Sequence, residues 1–106
     1  MPSLEDEFHH VMIDGYELAK RRGYNATYFK QMLDEYGGVE TVKRLLAKRE
    51  IQEGLMRLWE LHLLDHSLEA IVLQERFRPL FTESELQEAR RRLEELGYFK
   101  SKKSDQ

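Results

Sequence analysis

The sequence has no cysteine, so disulfides, thiol catalysis and thiolate metal sites are excluded at the outset. Nor does any apolar run approach the roughly 18 residues that a membrane-spanning helix needs. The segment Met1 to His10 is acidic and lacks the apolar centre of a secretory signal. A cytoplasmic location is therefore expected, with any membrane role peripheral. Sustained alternation of apolar and polar residues, the mark of a half-buried strand, is missing. So are internal repeats, low-complexity tracts and a linker. A basic excess is also lacking: the formal net charge is -3 and the pI about 5.8, which argues against a dedicated nucleic-acid binder while leaving room for a local basic patch.

What the chain does have is charge on a modest apolar base. Its 106 residues suit one domain, which buries about two-thirds of the surface its unfolded chain exposes. Hydrophobic residues make up 41%, enough for a core, and charged residues 35%, an excess that fits short helices with long solvated faces.

The periodicity predicts an all-α fold, a single compact irregular bundle of five to six helices over residues 1–99, followed by a polar tail, 100–106, expected to be disordered. The first helix runs from about Leu4 to Arg22, capped by Ser3 with Asp6 closing the box, and stopped by Gly23. The second follows Asn25 as N-cap and reaches Tyr36, where Gly37-Gly38 ends it; a short third spans Val39 to about Lys48. A fourth runs from about Gln52 to Leu63, with Leu55, Leu58, Trp59 and His62 on its inner face. Asp65 reads as the cap of a fifth, from His66 to about Gln74. An irregular segment, Arg76 to Phe81, sends Phe77, Leu80 and Phe81 to the edge of the core. The last helix opens with the capping box Thr82-Glu83-Ser84-Glu85 and carries Leu86, Ala89, Leu93 and Leu96 up to Gly97.

Few residues offer chemistry. His62 and His66 are four apart, the spacing that sets two imidazoles on one helical face for a zinc ion, but Asp65 as a cap would bend the chain between them. His9, His10 and Asp14 form a second cluster, equally well explained as a solvated helix face. Ser3, Ser67 and Thr82 fall at helix starts, where capping explains them. No phosphate-binding or dinucleotide-binding glycine pattern is present, and no cofactor is expected. The second and third helices invite comparison with a DNA-reading helix-turn-helix. Leu33 or Asp34 stands where a small residue belongs, and the third helix has Lys43, Arg44, Lys48 and Arg49 for phosphates but no base-reading Asn or Gln.

Basic clusters occur at Lys20-Arg21-Arg22, Arg76 with Arg78, Arg90-Arg91-Arg92, and Lys100 with Lys102-Lys103. The first and third are explained by the helix dipole at C-termini. If Arg76, Arg78, Arg90 and Arg91 converge, they form an anion-binding patch or a surface for an acidic partner. Of the aromatics, most fall on inner faces, and Tyr24, Tyr28 and Tyr36 are the candidates for an interface hot spot.

The run Gly23-Tyr24-Asn25-Ala26-Thr27-Tyr28-Phe29, then Gly37-Gly38, Leu45-Leu46-Ala47, Leu58-Trp59-Glu60-Leu61 and Arg78-Pro79-Leu80-Phe81-Thr82, resembles a family of small, uncharacterised all-helical bacterial proteins. The resemblance extends from about Phe8 to Tyr98. Members occur alone and near restriction or other DNA-processing genes, so it implies an accessory role and carries over no functional residue.

These readings converge on a non-enzymatic helical interaction module, an accessory or regulatory protein that binds another macromolecule, with a protein partner expected and homodimerisation open. The alternative is a nucleic-acid-associated domain using the arginine clusters. A metal-dependent enzyme built on His62 and His66 is the third reading.

Overall fold

In the computed structural model, residues 3–48 and 53–99 are described. Among them the chain forms six α-helices and no strand: α1 (Leu4–Arg21), α2 (Thr27–Tyr36), α3 (Gly38–Leu46), α4 (Glu53–Glu60), α5 (Leu68–Val72) and α6 (Glu83–Glu95). Two single-turn 3-10 helices, Leu64–His66 and Arg78–Leu80, join the later elements. The expected start of the fourth helix at Gln52, Arg49 with the end of the charged break after Lys48, and the polar tail 100–106 lie outside the described residues. No described helix is long and apolar enough to cross a membrane.

All three hydroxyls expected at helix starts are caps. Ser3 Oγ accepts from the Asp6 amide at 3.1 Å, and the Asp6 carboxylate accepts from the Ser3 amide. Thr82 and Glu85 make the same reciprocal pair, at 3.2 and 2.8 Å. Ser67 Oγ accepts from the Ala70 amide and donates to the Leu64 carbonyl. Two other expected caps are spent elsewhere. Asn25 does not cap α2, whose N-cap is Ala26 without a side-chain bond. Its Oδ1 accepts instead from the Tyr16 hydroxyl at 3.0 Å, because a buried tyrosine must place its O–H. Asp65 does not cap α5 either; it lies in the first 3-10 turn and accepts from the Tyr98 hydroxyl, so the helix begins at Leu68 under Ser67.

The fourth helix is also shorter than its apolar pattern suggested. It closes with the Leu63 amide bonded to the Leu58 carbonyl and the His62 amide to Trp59, and His62 takes φ +62°. Gly23 makes the same closure after α1 at φ +105°, where glycine is the usual choice. Ending at Glu60 leaves α4 two turns long, with Leu55 buried inward and Trp59, expected inside, 46% exposed on the outer side.

The core is centred on Phe8, which is fully buried between Phe77 and Phe81 in edge-to-face contacts at 5.1 and 5.2 Å. Met12, Leu33, Val42, Leu46, Ile71, Val72 and Ala89 complete it. Phe77 and Phe81 thus occupy the centre rather than the edge, brought there by the 3-10 turn around Pro79. Helices α1 and α3 come close because Gly38 has no side chain: a Cβ there would stand 2.8 Å from the His9 Cα.

Beneath this core lies a buried polar knot. Arg92, grouped by sequence with the solvated arginines of α6, has no exposed surface. Its Nη1 donates to Glu69 at 3.1 Å and its Nε to Glu88 at 2.7 Å. Its Nη2 donates to the carbonyls of Leu45 and Lys48, so the guanidinium closes the C-terminal end of α3. A guanidinium alone among side chains offers enough donors in one plane to serve four acceptors on three elements.

Candidate functional site

Away from Phe8, the second half of α1 does not meet a filled core. Gly15 and Ala19 leave room on its inner face, Ala26 and Gly54 do the same on the facing segments, and a cavity of about 510 Å³ results. Its floor includes the buried Met12, Tyr16, Met32 and Leu55; its opening carries the exposed Tyr28, Glu53 and His66, with Tyr24 half-buried along the wall. Two glycines shape it. Gly15 allows the His66 carbonyl to approach, 3.2 Å from where a Cβ would be, and Gly54 admits the Tyr24 hydroxyl at the same separation. The volume lies in the range of ligand sites, and the apolar floor with a few polar groups at the mouth is their usual make-up. The two methionines add a deformable surface.

The lining is richer in acid than in base. Among the described residues that line it, the carboxylates are Glu53 and Glu69, the one basic side chain is His66, and no lysine or arginine is present. Glu69 is 2% exposed, and burial pushes its carboxyl up from the ordinary value against the opposing pull of Arg92. Outside the cavity, Glu88 is held down at about 2 by the hydrogen bond from Arg91, with Arg92 adding to it against a burial penalty. Burial pushes the Tyr98 hydroxyl up to about 12, and its bond to Asp65 acts in the same direction.

The residues singled out by sequence divide accordingly. Tyr24 and Tyr28 line the cavity together, Tyr28 with 66% of its surface exposed. Tyr36 does not join them; the Arg44 guanidinium lies over its ring at 4.0 Å. Arg76 reaches Glu7 at 3.7 Å and lies over the Phe77 ring. Arg78 donates to the Leu73 carbonyl, Arg90 lies over the Phe99 ring, and Arg91 is held by Glu88 and Glu95. In the would-be recognition helix α3, Lys43 pairs with Glu85 and Arg44 with Glu40. His62 and His66 share no helix, since α4 ends before His62 and His66 sits in the next 3-10 turn. Their four-residue spacing therefore does not carry the one-face geometry it would have in a helix. His10 Nδ1 bonds the Asp6 carbonyl at 2.9 Å, and among the described residues no group of three or more His, Cys, Asp or Glu side chains is arranged to hold a metal ion.

Sequence reasoning missed the cavity and Glu69. Their only trace was a string of small residues, Gly15, Ala19, Ala26 and Gly54, that belongs to three different segments. Comparison with protein-family models found no matching family, and neither the curated proteins nor the solved structures gave a match.

Proposed function

We propose that this protein is a non-enzymatic helical interaction module that grips an apolar anchor of a protein partner in the cavity between α1, α2, α4 and α5. The observation that carries this reading is the pairing of an apolar cavity of about 510 Å³ with an exposed tyrosine at its mouth. Tyrosine supplies a large amphipathic contact at low entropic cost, and binding energy concentrates where such a ring borders a desolvated pocket. The serine and threonine hydroxyls at Ser3, Ser67 and Thr82 are committed to helix caps, which is a structural use. Carboxylates hold Arg76, Arg91, Lys43 and Arg44, which favours the cavity over the phosphate-binding reading.

The test is recovery of the tagged protein with its partner from nuclease-treated lysate, comparing the native chain with Tyr28→Ala and with Gln87→Ala on the exposed side of α6. A stoichiometric protein that survives nuclease, is lost with Tyr28→Ala and is kept with Gln87→Ala supports the reading. A partner retained equally by both variants, or recovered only with intact nucleic acid, contradicts it.

A further inference from the structure

The cavity has a charge preference as well as a shape, and this inference rests on the binding role proposed above. Tyr24, Tyr28 and Phe29 form its aromatic wall above the buried Tyr16, Glu53 and His66 are exposed at the opening, and among the described lining residues there is no lysine or arginine. The deep carboxylate, Glu69, is already neutralised by Arg92 at 3.1 Å, so the floor favours apolar groups. Glu53 at the rim has no such partner among the described residues. The chain's own cations show how these rings behave: Arg57 lies 5.0 Å from the Tyr24 centroid and the Lys30 ammonium 6.0 Å from that of Tyr16. Each is itself matched by an acid, Arg57 by Glu60 and Lys30 by Asp34. Aromatic faces attract cations, and the attraction grows where water is excluded. An anion entering the same space would meet the Glu53 carboxylate at the rim, where His66 is the one basic side chain among the described lining residues.

We propose that the anchor is an apolar-stemmed cation: a lysine or arginine of the protein partner, beside an apolar residue that fills the floor. The methylene stem lies along the tyrosines and the charged head stays at the mouth against Glu53, the arrangement such side chains adopt wherever apolar surface borders water. A cavity of about 510 Å³ holds the basic stem and the apolar neighbour together.

Three small probes of similar size separate the possibilities by calorimetry on the full chain: phenethyltrimethylammonium, neutral phenethyl alcohol and anionic phenylpropionate. The expected order is cation, then neutral, then anion, with the cation about tenfold tighter than the anion. Glu53→Gln, at an exposed position, should reduce the cation's advantage over the neutral probe about threefold, without lowering affinity for the neutral probe. Equal binding of all three, or tightest binding of phenylpropionate, would overturn the cationic assignment and leave the cavity as a binding site. If none binds, the cavity reading falls with it.

Discussion

The two halves of α1 face different interiors. Its first half sets Phe8 into a close-packed centre, with Phe77 and Phe81 on either side and Gly38 pressed against His9. Its second half, at Tyr16 and Ala19, borders open space ringed by tyrosines. Met12 belongs to both regions. One helix thus serves stability at one end and leaves surface for binding at the other. The difference follows from size: Phe8 fills its side of the bundle, while Gly15 and Ala19 do not fill theirs.

That contrast predicts unequal costs. Phe8→Ala should lower unfolding free energy by about 3–5 kcal/mol, and Leu58→Ala, half-buried beside the cavity, by much less. Arg92→Ala should match the larger loss, about 3–5 kcal/mol, because it strands a buried carboxylate and two carbonyls. Replacing Arg92 and Glu69 together by methionine should recover only part of it, since the carboxylate is gone but the Leu45 and Lys48 carbonyls still lack their donor. Urea unfolding of the four variants measures all of this, and equal losses for Phe8→Ala and Leu58→Ala would erase the distinction between the halves.

A smaller effect tests the close approach. Gly38→Ala should cost about 1–3 kcal/mol in the same assay despite alanine's better helix propensity, since its methyl meets the His9 backbone. An alanine that stabilises the protein would mean that α1 and α3 separate freely.

The polar knot adds a pH signature. Glu88 sits near 2 in the folded protein, below its ordinary value, so its contribution is complete above the ordinary glutamate range and disappears as pH falls through about 2. Glu69 is shifted upward, so its contribution has the opposite sign: it is full at low pH and falls as its carboxyl ionises. Glu88→Gln should therefore flatten the acid limb of the stability profile between the ordinary glutamate value and about 2. An unchanged acid limb would show that the pairing with Arg91 and Arg92 contributes nothing.

The smallest expected effect on folding is that of Tyr28→Ala, within about 0.5 kcal/mol by thermal unfolding, because the ring is mostly exposed. Loss of the partner without loss of stability is what separates a binding residue from a structural one.

Legibility in the sequence followed the range of the interactions. The capping boxes at Ser3 and Thr82 and the glycine stop at Gly23 are made by neighbours in the chain, and the sequence displays them. Asn25 and Asp65 had the same capping chemistry, but Tyr16 and Tyr98 claimed them across the fold. Arg92 looked like Arg90 and Arg91, since only its angle around α6, and Glu69 on a helix 23 residues away, distinguish it. Tyr24 and Tyr28 were recognisable as interface residues by type, yet the cavity between them and α4 forms only when distant small residues meet.

The most direct test of the central claim is a methionine-methyl NMR titration with phenethyl alcohol. Met12 and Met32 line the cavity, whereas Met56 sits on the exposed side of α4 outside it. The account predicts that the Met12 and Met32 signals move together along one binding curve while Met56 stays in place. Movement of Met56 alone, or of none of the three, would contradict a binding cavity at this end of α1.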